Sequence, residues 1–374
     1  MTEGVGGLEG ARVDVRTSRG AYTVYVGRGI LSGLPGLLGS YLDVHRFALV
    51  SDENVGPIHG ERLAEACREA GLDVTYLTFP AGEASKTRES WSILTDKMLD
   101  AGLGRDSCVI AVGGGVTTDL AGFVAATYLR GIPLVQVPTT YLAMIDASVG
   151  GKTGVDVHAG KNLVGAFHAP RAVVADTEIL STLPRVERRQ GLVEAFKHGA
   201  ILDEEHFGAL SSDLPRLLEA DPDVSGPAIL RSVQLKAEVV GQDEFESGYR
   251  QILNFGHTIG HAIEAASGYT LGHGQSVALG MLAEADVGER VGVTEAGTRD
   301  RLASVLAELL PSGPPSIRDA AVLQHLGTDK KMRAGRARYV LLRTLGEVDP
   351  GEAWTHEVPD RVVREALERV LSEA

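Results

Sequence analysis

Up to about Pro184 the chain alternates short apolar runs with longer amphipathic stretches, and beyond that point strand candidates nearly vanish. Residues 46–51 (RFALVS), 74–79 (VTYLTF), 107–112 (SCVIAV) and 134–137 (LVQV) are short, rich in β-branched residues and bounded by Gly, Pro or Asp, which predicts buried strands. Segments 62–70 and 87–101 between them have helical spacing of apolar residues and charges. Strands alternating with helices predict a mainly parallel α/β sheet. Residues 13–15 and 22–26 predict an opening hairpin with its turn at Ser18-Arg19-Gly20. Later, 186–210, 227–240, 254–267, 274–291 and 299–309 carry helical periodicity; only 338–342 (RYVLL) reads as extended, and 312–316 (SGPPS) breaks helices. The expected plan is a Rossmann-like α/β domain over residues 1–185 and an all-α domain over 186–374.

A length of 374 residues suits two domains. With 36 Lys+Arg against 50 Asp+Glu, the net charge of -14 argues against a nucleic-acid binder. An anionic small molecule is still allowed, because a local basic cluster overrides the global field. Two cysteines, Cys67 and Cys108, are too few for a disulfide framework or a Cys-based zinc site, which fits a reducing cytoplasm. No run of 18 apolar residues occurs and residues 1–16 lack the pattern of a signal peptide, so no membrane partner is expected.

Chemistry-bearing residues cluster in four places. Gly113-Gly114-Gly115-Val116-Thr117-Thr118-Asp119 follows the strand ending at Val112, where glycines let several N–H groups converge on one anion such as a cofactor pyrophosphate. The GxGxxG fingerprint is absent, and a tight strand-to-helix turn explains the glycines equally well. Thr139-Thr140 ends the next strand, as suits a ligand in the crevice. Asp146, then Lys152 in GGKTG and Lys161-Asn162 after Gly160, put two lysines in glycine-rich surroundings, as a phosphate site requires. The P-loop spacing is missing, which disfavours a nucleoside-triphosphate enzyme.

Glu194, Lys197 and His198 share one helical face, and Asn254, His257 and His261 share another; His273 stands at the start of the following helix. A carboxylate with two or three imidazoles makes a plausible three-ligand metal site with an open position. The competing explanation is local pairing, His198 with Glu194 and His261 with Glu264 or a loop. Lys236 and Arg250, flanking an acidic stretch, and Lys330-Lys331 would add anion-binding charge if buried in a pocket, but by themselves read as solvated surface charges.

Taken in order, GGGVTTDLAGF (113–123), RGIP (130–133), QVPTT (136–140), SVGGKTGV (148–155), GKNLVGAF (160–167), GLVEAFK (191–197) and LNFGHTIGHAIE (253–264) resemble the 3-dehydroquinate synthase family of sugar phosphate cyclases, from about residue 52 to 342. The resemblance implies an NAD-binding first domain, a metal- and substrate-binding second domain and a homodimer. It implies cyclisation of 3-deoxy-D-arabino-heptulosonate 7-phosphate to 3-dehydroquinate with phosphate release in the shikimate pathway, by transient oxidation, elimination, reduction and aldol closure. Glu194, His257 and His273 would bind the divalent metal, zinc or cobalt. NAD would meet Asp52, Asn54, Gly82, Glu83, Lys86, Gly115, Val116, Thr117, Thr118, Asp119, Thr139, Thr140, Lys161 and Thr182. Phosphate would be held by Lys152, Asn162, Asn254, His261, Lys330 or Lys331, and Arg130 of a second subunit. Asp146, Lys197, Lys236 and Arg250 would take the hydroxyls and carboxylate of this phosphorylated sugar acid.

Departures from the family pattern are Tyr141 for a usual Leu, Asp156 for Asn, Gln275 for Glu, Thr117-Thr118 for Ile-Gly, and Phe196 and His198 beside Lys197. None removes an implied catalytic group. The alternatives are an aminodehydroquinate synthase or another cyclase of secondary metabolism and, from another class, an iron-type alcohol dehydrogenase.

Overall fold

The computed structural model describes residues 8–18, 20–41, 43–310, 317–332 and 337–373, with side chains described except at 328–332. Arg19 of the expected first turn and the 312–316 breaker lie outside these residues, as do the side chains of Lys330 and Lys331.

The chain divides into two compact units: Met1–Pro184 with Glu219–Gly241, and Arg185–Leu218 with Gln242–Ala374. The segment Glu219–Gly241, expected in the second domain, belongs to the first. Its tethers give the reason. Lys236 Nζ donates to Asp146 Oδ1 and to the Asp146 carbonyl, both at 2.6 Å, and Tyr141 Oη and Ser225 Oγ share a 2.5 Å hydrogen bond.

Strands β1 (Ala11–Thr17), β2 (Gly20–Gly27), β3 (Arg46–Asp52), β4 (Asp73–Phe79), β5 (Ser107–Gly113) and β6 (Leu134–Pro138) cover the strands read from sequence. The short hairpin β7 (Lys152–Val157) and β8 (Gly160–Phe167), and the buried strand β9 (Ala172–Asp176), go beyond that reading. Among the described residues, seven strands form the main sheet in the order β1-β2-β9-β6-β5-β3-β4. Only the β1–β2 pairing is antiparallel. Helices α1 (Leu34–Gly39), α2 (Glu61–Glu69), α3 (Arg88–Asp100) and α4 (Gly115–Thr127) alternate with the strands. Two apolar clusters result: one holds Phe47, Leu49, Ile110 and Val135, the other Val50, Val109, Leu120 and Val124. Successive residues of β3 and β5 feed both, so the sheet is buried on both faces and its strands read as continuous apolar runs.

Next come α5 (Arg185–Leu202), α6 (Glu204–Leu218), α7 (Pro222–Gln242), α8 (His257–Ala266), α9 (His273–Val291), α10 (Thr298–Leu306), α11 (Asp319–Met332) and α12 (Asp360–Glu373). The stretch 186–210, read as one periodic run, spans two helices. The extended segment is present as a bridge from Tyr339 to His356 and the small pair β10 (Leu342–Thr344) and β11 (Glu347–Val348). No helix among the described residues is long and apolar enough to cross a membrane.

Candidate active site

In the first unit the strand order reverses beside β3: β4 lies to one side of it, and β5, β6 and β9 to the other. Ligands of open α/β sheets bind outside the carboxyl ends of strands at such a reversal. Asp52 ends β3 and Gly113 ends β5 there. Helix α4 begins at Gly115, so Gly115 to Asp119, read from sequence as a glycine-rich turn after the strand, form its first turns. The reason is Gly114, whose extended backbone (φ -77°, ψ -168°) serves as the N-cap. Gly113 has a local cause as well: a Cβ there would lie 2.2 Å from Thr117 Oγ1. The space lets Thr117 donate to Asp52 Oδ2 at 3.1 Å, while Asp52 Oδ1 accepts from the Asn54 and Val55 amides. Thr118 donates to the Gly115 carbonyl, and Thr139 Oγ1 is buried with no hydrogen-bond partner among the described residues. That orphan hydroxyl is what a ligand seated at the strand ends would satisfy.

Lys86 is buried 3.0 Å from Glu83, 3.2 Å from Asp119 and 3.8 Å from Asp156, and Lys161 lies 3.7 Å from Glu83. Burial opposes the Lys86 charge, but Asp119, Glu83 and Asp156 outweigh it and raise its pKa. Burial pushes Asp119 up to about 6 despite Lys86. Gly82 takes a left-handed backbone (φ 96°) before Glu83, and Thr182 shares a 2.8 Å hydrogen bond with His59 Nε2.

Lys152 and Asn162 are less close than their glycine-rich settings suggest. In the β7–β8 register Lys152 pairs with Phe167 at the open end, whereas Asn162 donates its amide to Asp156 near the turn. Four strand residues, about 13 Å, separate those levels, so one anion between them needs the lysine's full reach. Arg130 is exposed, with a left-handed backbone (φ 71°), after α4.

The second unit holds the densest chemistry. Glu194 and Lys197 lie one turn apart in α5, with Nζ 2.5 Å from Oε2, and both are almost wholly buried. Glu194 thus pairs with Lys197; His198, its suggested partner, is fully buried. The first residue of α8 is His257 and the first of α9 is His273. Their Nε2 atoms lie 3.5 and 3.4 Å from Glu194 Oε1. Bonds of about 2.1 Å at tetrahedral angles hold donor atoms about 3.4 Å apart. Both imidazoles therefore stand at that spacing from Glu194 Oε1, and the three ligand atoms lie within 4.8 Å of one another. Both imidazoles face Oε1 of the buried Glu194, while its Oε2 is engaged by Lys197.

Electrostatics agree with that fit. Burial would raise Glu194, but Lys197, His257 and His273 hold it well below the usual carboxylate range. Burial and Lys197 push His257 far down, so its ring stays neutral with a lone pair. Burial opposes the His273 charge, yet Glu194 and Glu264 lift it to about 9. In the metal-free chain a proton thus sits at His273 where a cation would sit, and metal binding should release it. A second cluster, His261, Glu264 and His273, shares that imidazole. Glu264 Oε2 lies 3.9 Å from His273 Nδ1, and His261, the partner sequence suggested, belongs to the same cluster.

Lys236 and Arg250, read as surface charges, are both buried. Lys236 is held by Asp146, while Arg250 donates to the Glu244 carbonyl and, through its amide, to Asp243. Asn254 Nδ2 donates to Glu246 Oε1 at 2.7 Å. A residue missed from sequence is Glu284, fully buried in α9; its signal is a lone acid on the apolar face 277–285.

A parallel sheet with its ligand crevice at a strand reversal, joined to a helical unit carrying a metal-competent acid–imidazole cluster, has the architecture of the sugar phosphate cyclases. A solved 2-deoxy-scyllo-inosose synthase, complexed with carbaglucose-6-phosphate, NAD+ and Co2+, superposes with a TM-score of 0.88 at 27% identity, covering 96% of this chain and 99% of that one. A 2-epi-5-epi-valiolone synthase from Streptomyces hygroscopicus, with NAD+ and Zn2+ bound, gives 0.84 at 29% identity, covering 93% and 96%. The family models described as 3-dehydroquinate synthase N-terminal and C-terminal match residues 76–190 and 191–332. The 3-dehydroquinate synthase of Symbiobacterium thermophilum is 46% identical over 352 residues, covering 93% of this chain and 97% of that protein. The chain belongs to the 3-dehydroquinate synthase family.

Proposed function

We propose that this chain cyclises 3-deoxy-D-arabino-heptulosonate 7-phosphate to 3-dehydroquinate with release of phosphate, acting in the shikimate pathway as a cytoplasmic homodimer. The observation that carries the reading is the Glu194, His257 and His273 cluster, whose imidazoles stand 3.5 and 3.4 Å from the carboxylate, the spacing two ligands of one tetrahedral ion would have. When bound, NAD supplies a reversible hydride acceptor for the C5 hydroxyl, and zinc or cobalt a Lewis acid for its oxygen.

The chain's own groups do the rest. Glu194, His257 and His273 hold the metal. Residues Gly115 to Asp119, Thr139 and Thr140, with Asp52, Asn54, Gly82, Glu83, Lys86, Lys161 and Thr182, hold the dinucleotide, and the orphan hydroxyl of Thr139 supports a ligand there. Lys152, Asn162, Asn254, His261 and one of Lys330 and Lys331, with Arg130 from a second subunit, take the phosphate. Asp146, Lys197, Lys236 and Arg250 orient hydroxyls and carboxylate; three buried cations are what recognition of an acidic substrate asks of a fold. Holding one conformer for ring closure is much of the task.

Two of the departures, Tyr141 and Asp156, have partners within the first unit. The Tyr141 hydroxyl is engaged by Ser225, and Asp156 by Lys86 and the Asn162 amide, so both new polar groups have internal partners. Purified chain given the heptulosonate phosphate, NAD and Zn2+ should release phosphate while NADH stays flat. NADH rising one-for-one with product would point to a dehydrogenase, and no phosphate release would overturn the reading.

A further inference from the structure

We propose that Glu284 is a positioning residue for the metal-competent cluster: from α9 its carboxyl group clips the first turn of α8 and so aims His257 at Glu194. The proposal rests on reading Glu194, His257 and His273 as a metal site.

Glu284 is fully buried on an apolar helix face, where an acid costs free energy unless its oxygens are used. They are used on two amides that flank His257. Oε2 accepts from the Gly256 amide at 2.7 Å and Oε1 from the Ile259 amide at 3.3 Å. Amides in a helix's first turn have no acceptor within the helix, and Gly256, the N-cap of α8, has no side chain to offer. Glu284 replaces the missing cap from the neighbouring helix. The two helices meet backbone to backbone at this level, since a Cβ on Gly280 would lie 1.9 Å from the Gly256 carbonyl oxygen.

His257 is the first residue of α8, so any rotation of that turn moves its ring directly. Its Nδ1 lies 3.2 Å from the Phe255 carbonyl and its Nε2 3.5 Å from Glu194, and the ring packs edge-on against His261 and His273. His273 opens α9 itself. One helix therefore positions both imidazoles, carrying His273 and gripping the turn that carries His257.

The test is Co2+ binding to full-length metal-free protein, measured by chelator competition and by the visible absorption of the bound ion. Glu284→Met, which fills the space without an acceptor, should weaken binding at least about tenfold and alter the absorption, as loss of a supporting group does. Glu284→Gln keeps an oxygen for the Gly256 amide and should stay within about threefold of wild type. If the Met variant does not fold, Glu284→Asp, one methylene too short to reach, is held to the same tenfold threshold. Wild-type affinity and spectrum in the Met or Asp variant would overturn the proposal, as would Gln weakened as much as Met. His257→Ala separates the underlying reading: if it binds Co2+ as tightly as wild type, the metal site itself is wrong and the proposal falls with it.

Discussion

Lys197 shows how a single residue sets the charge of the site. Buried against Glu194, it keeps the carboxylate ionised and the His257 ring neutral, the two protonation states a divalent ion needs from its ligands. Losing a ligand should be decisive: His257→Ala protein, purified with Zn2+ present, should retain no stoichiometric metal by elemental analysis, since a three-ligand site cannot spare one. Lys152 offers the complementary case, exposed at the start of β7 and remote from the metal ligands in sequence. If it meets the phosphate, Lys152→Ala should lower kcat/KM about 100-fold, roughly 3 kcal/mol, with metal content unchanged. Near-normal turnover would remove it from the phosphate site.

At the level of elements, the α8–α9 crossing governs the cluster, and the sequence showed the glycines of that crossing without showing the close approach they permit. Periodicity located both helices, but it carries no information on which turn of one meets which turn of the other. Glu284 has a consequence for stability too. Burial raises it from 4.5 to about 8 against the pull of the Gly256, Ile259 and Thr258 amides. A carboxyl group raised on folding adds stability that is complete below its unfolded value and is lost as pH climbs through its folded one. The metal-free wild type should therefore lose stability relative to Glu284→Gln between about pH 5 and pH 8, read by denaturant unfolding at both ends. Parallel pH profiles for the two proteins would contradict this.

For the molecule as a whole, the division after Pro184 coincides with the change of sequence pattern, yet α7 joins the first unit. Pattern could not foresee that, because an amphipathic helix records that it has an apolar face and not what covers it. The proposed homodimer yields a test that no single chain can pass. If Arg130 serves the partner's phosphate site, Arg130→Ala and Lys152→Ala homodimers should both be impaired. Their co-expressed mixture should regain activity, because the heterodimer has one site with both groups intact. A mixture no more active than its parents would place Arg130 in its own subunit's site or outside the site altogether.

By itself the sequence determined the alternation that makes the sheet, the helical second half, the family, and the residue types able to bind a metal and an anion. These are local properties, written in periodicity and in short motifs that fold within one or two elements. The tertiary structure decided the rest: that Glu194 pairs with Lys197, that Lys236 and Arg250 are buried, that Gly115 opens a helix, and that Glu284 reaches across to the turn holding His257. The Lys236 tether to Asp146 and the reach of Glu284 join residues far apart in the chain, and even the Glu194–Lys197 pair, one helical turn apart, owes its strength to burial, which local propensity does not record.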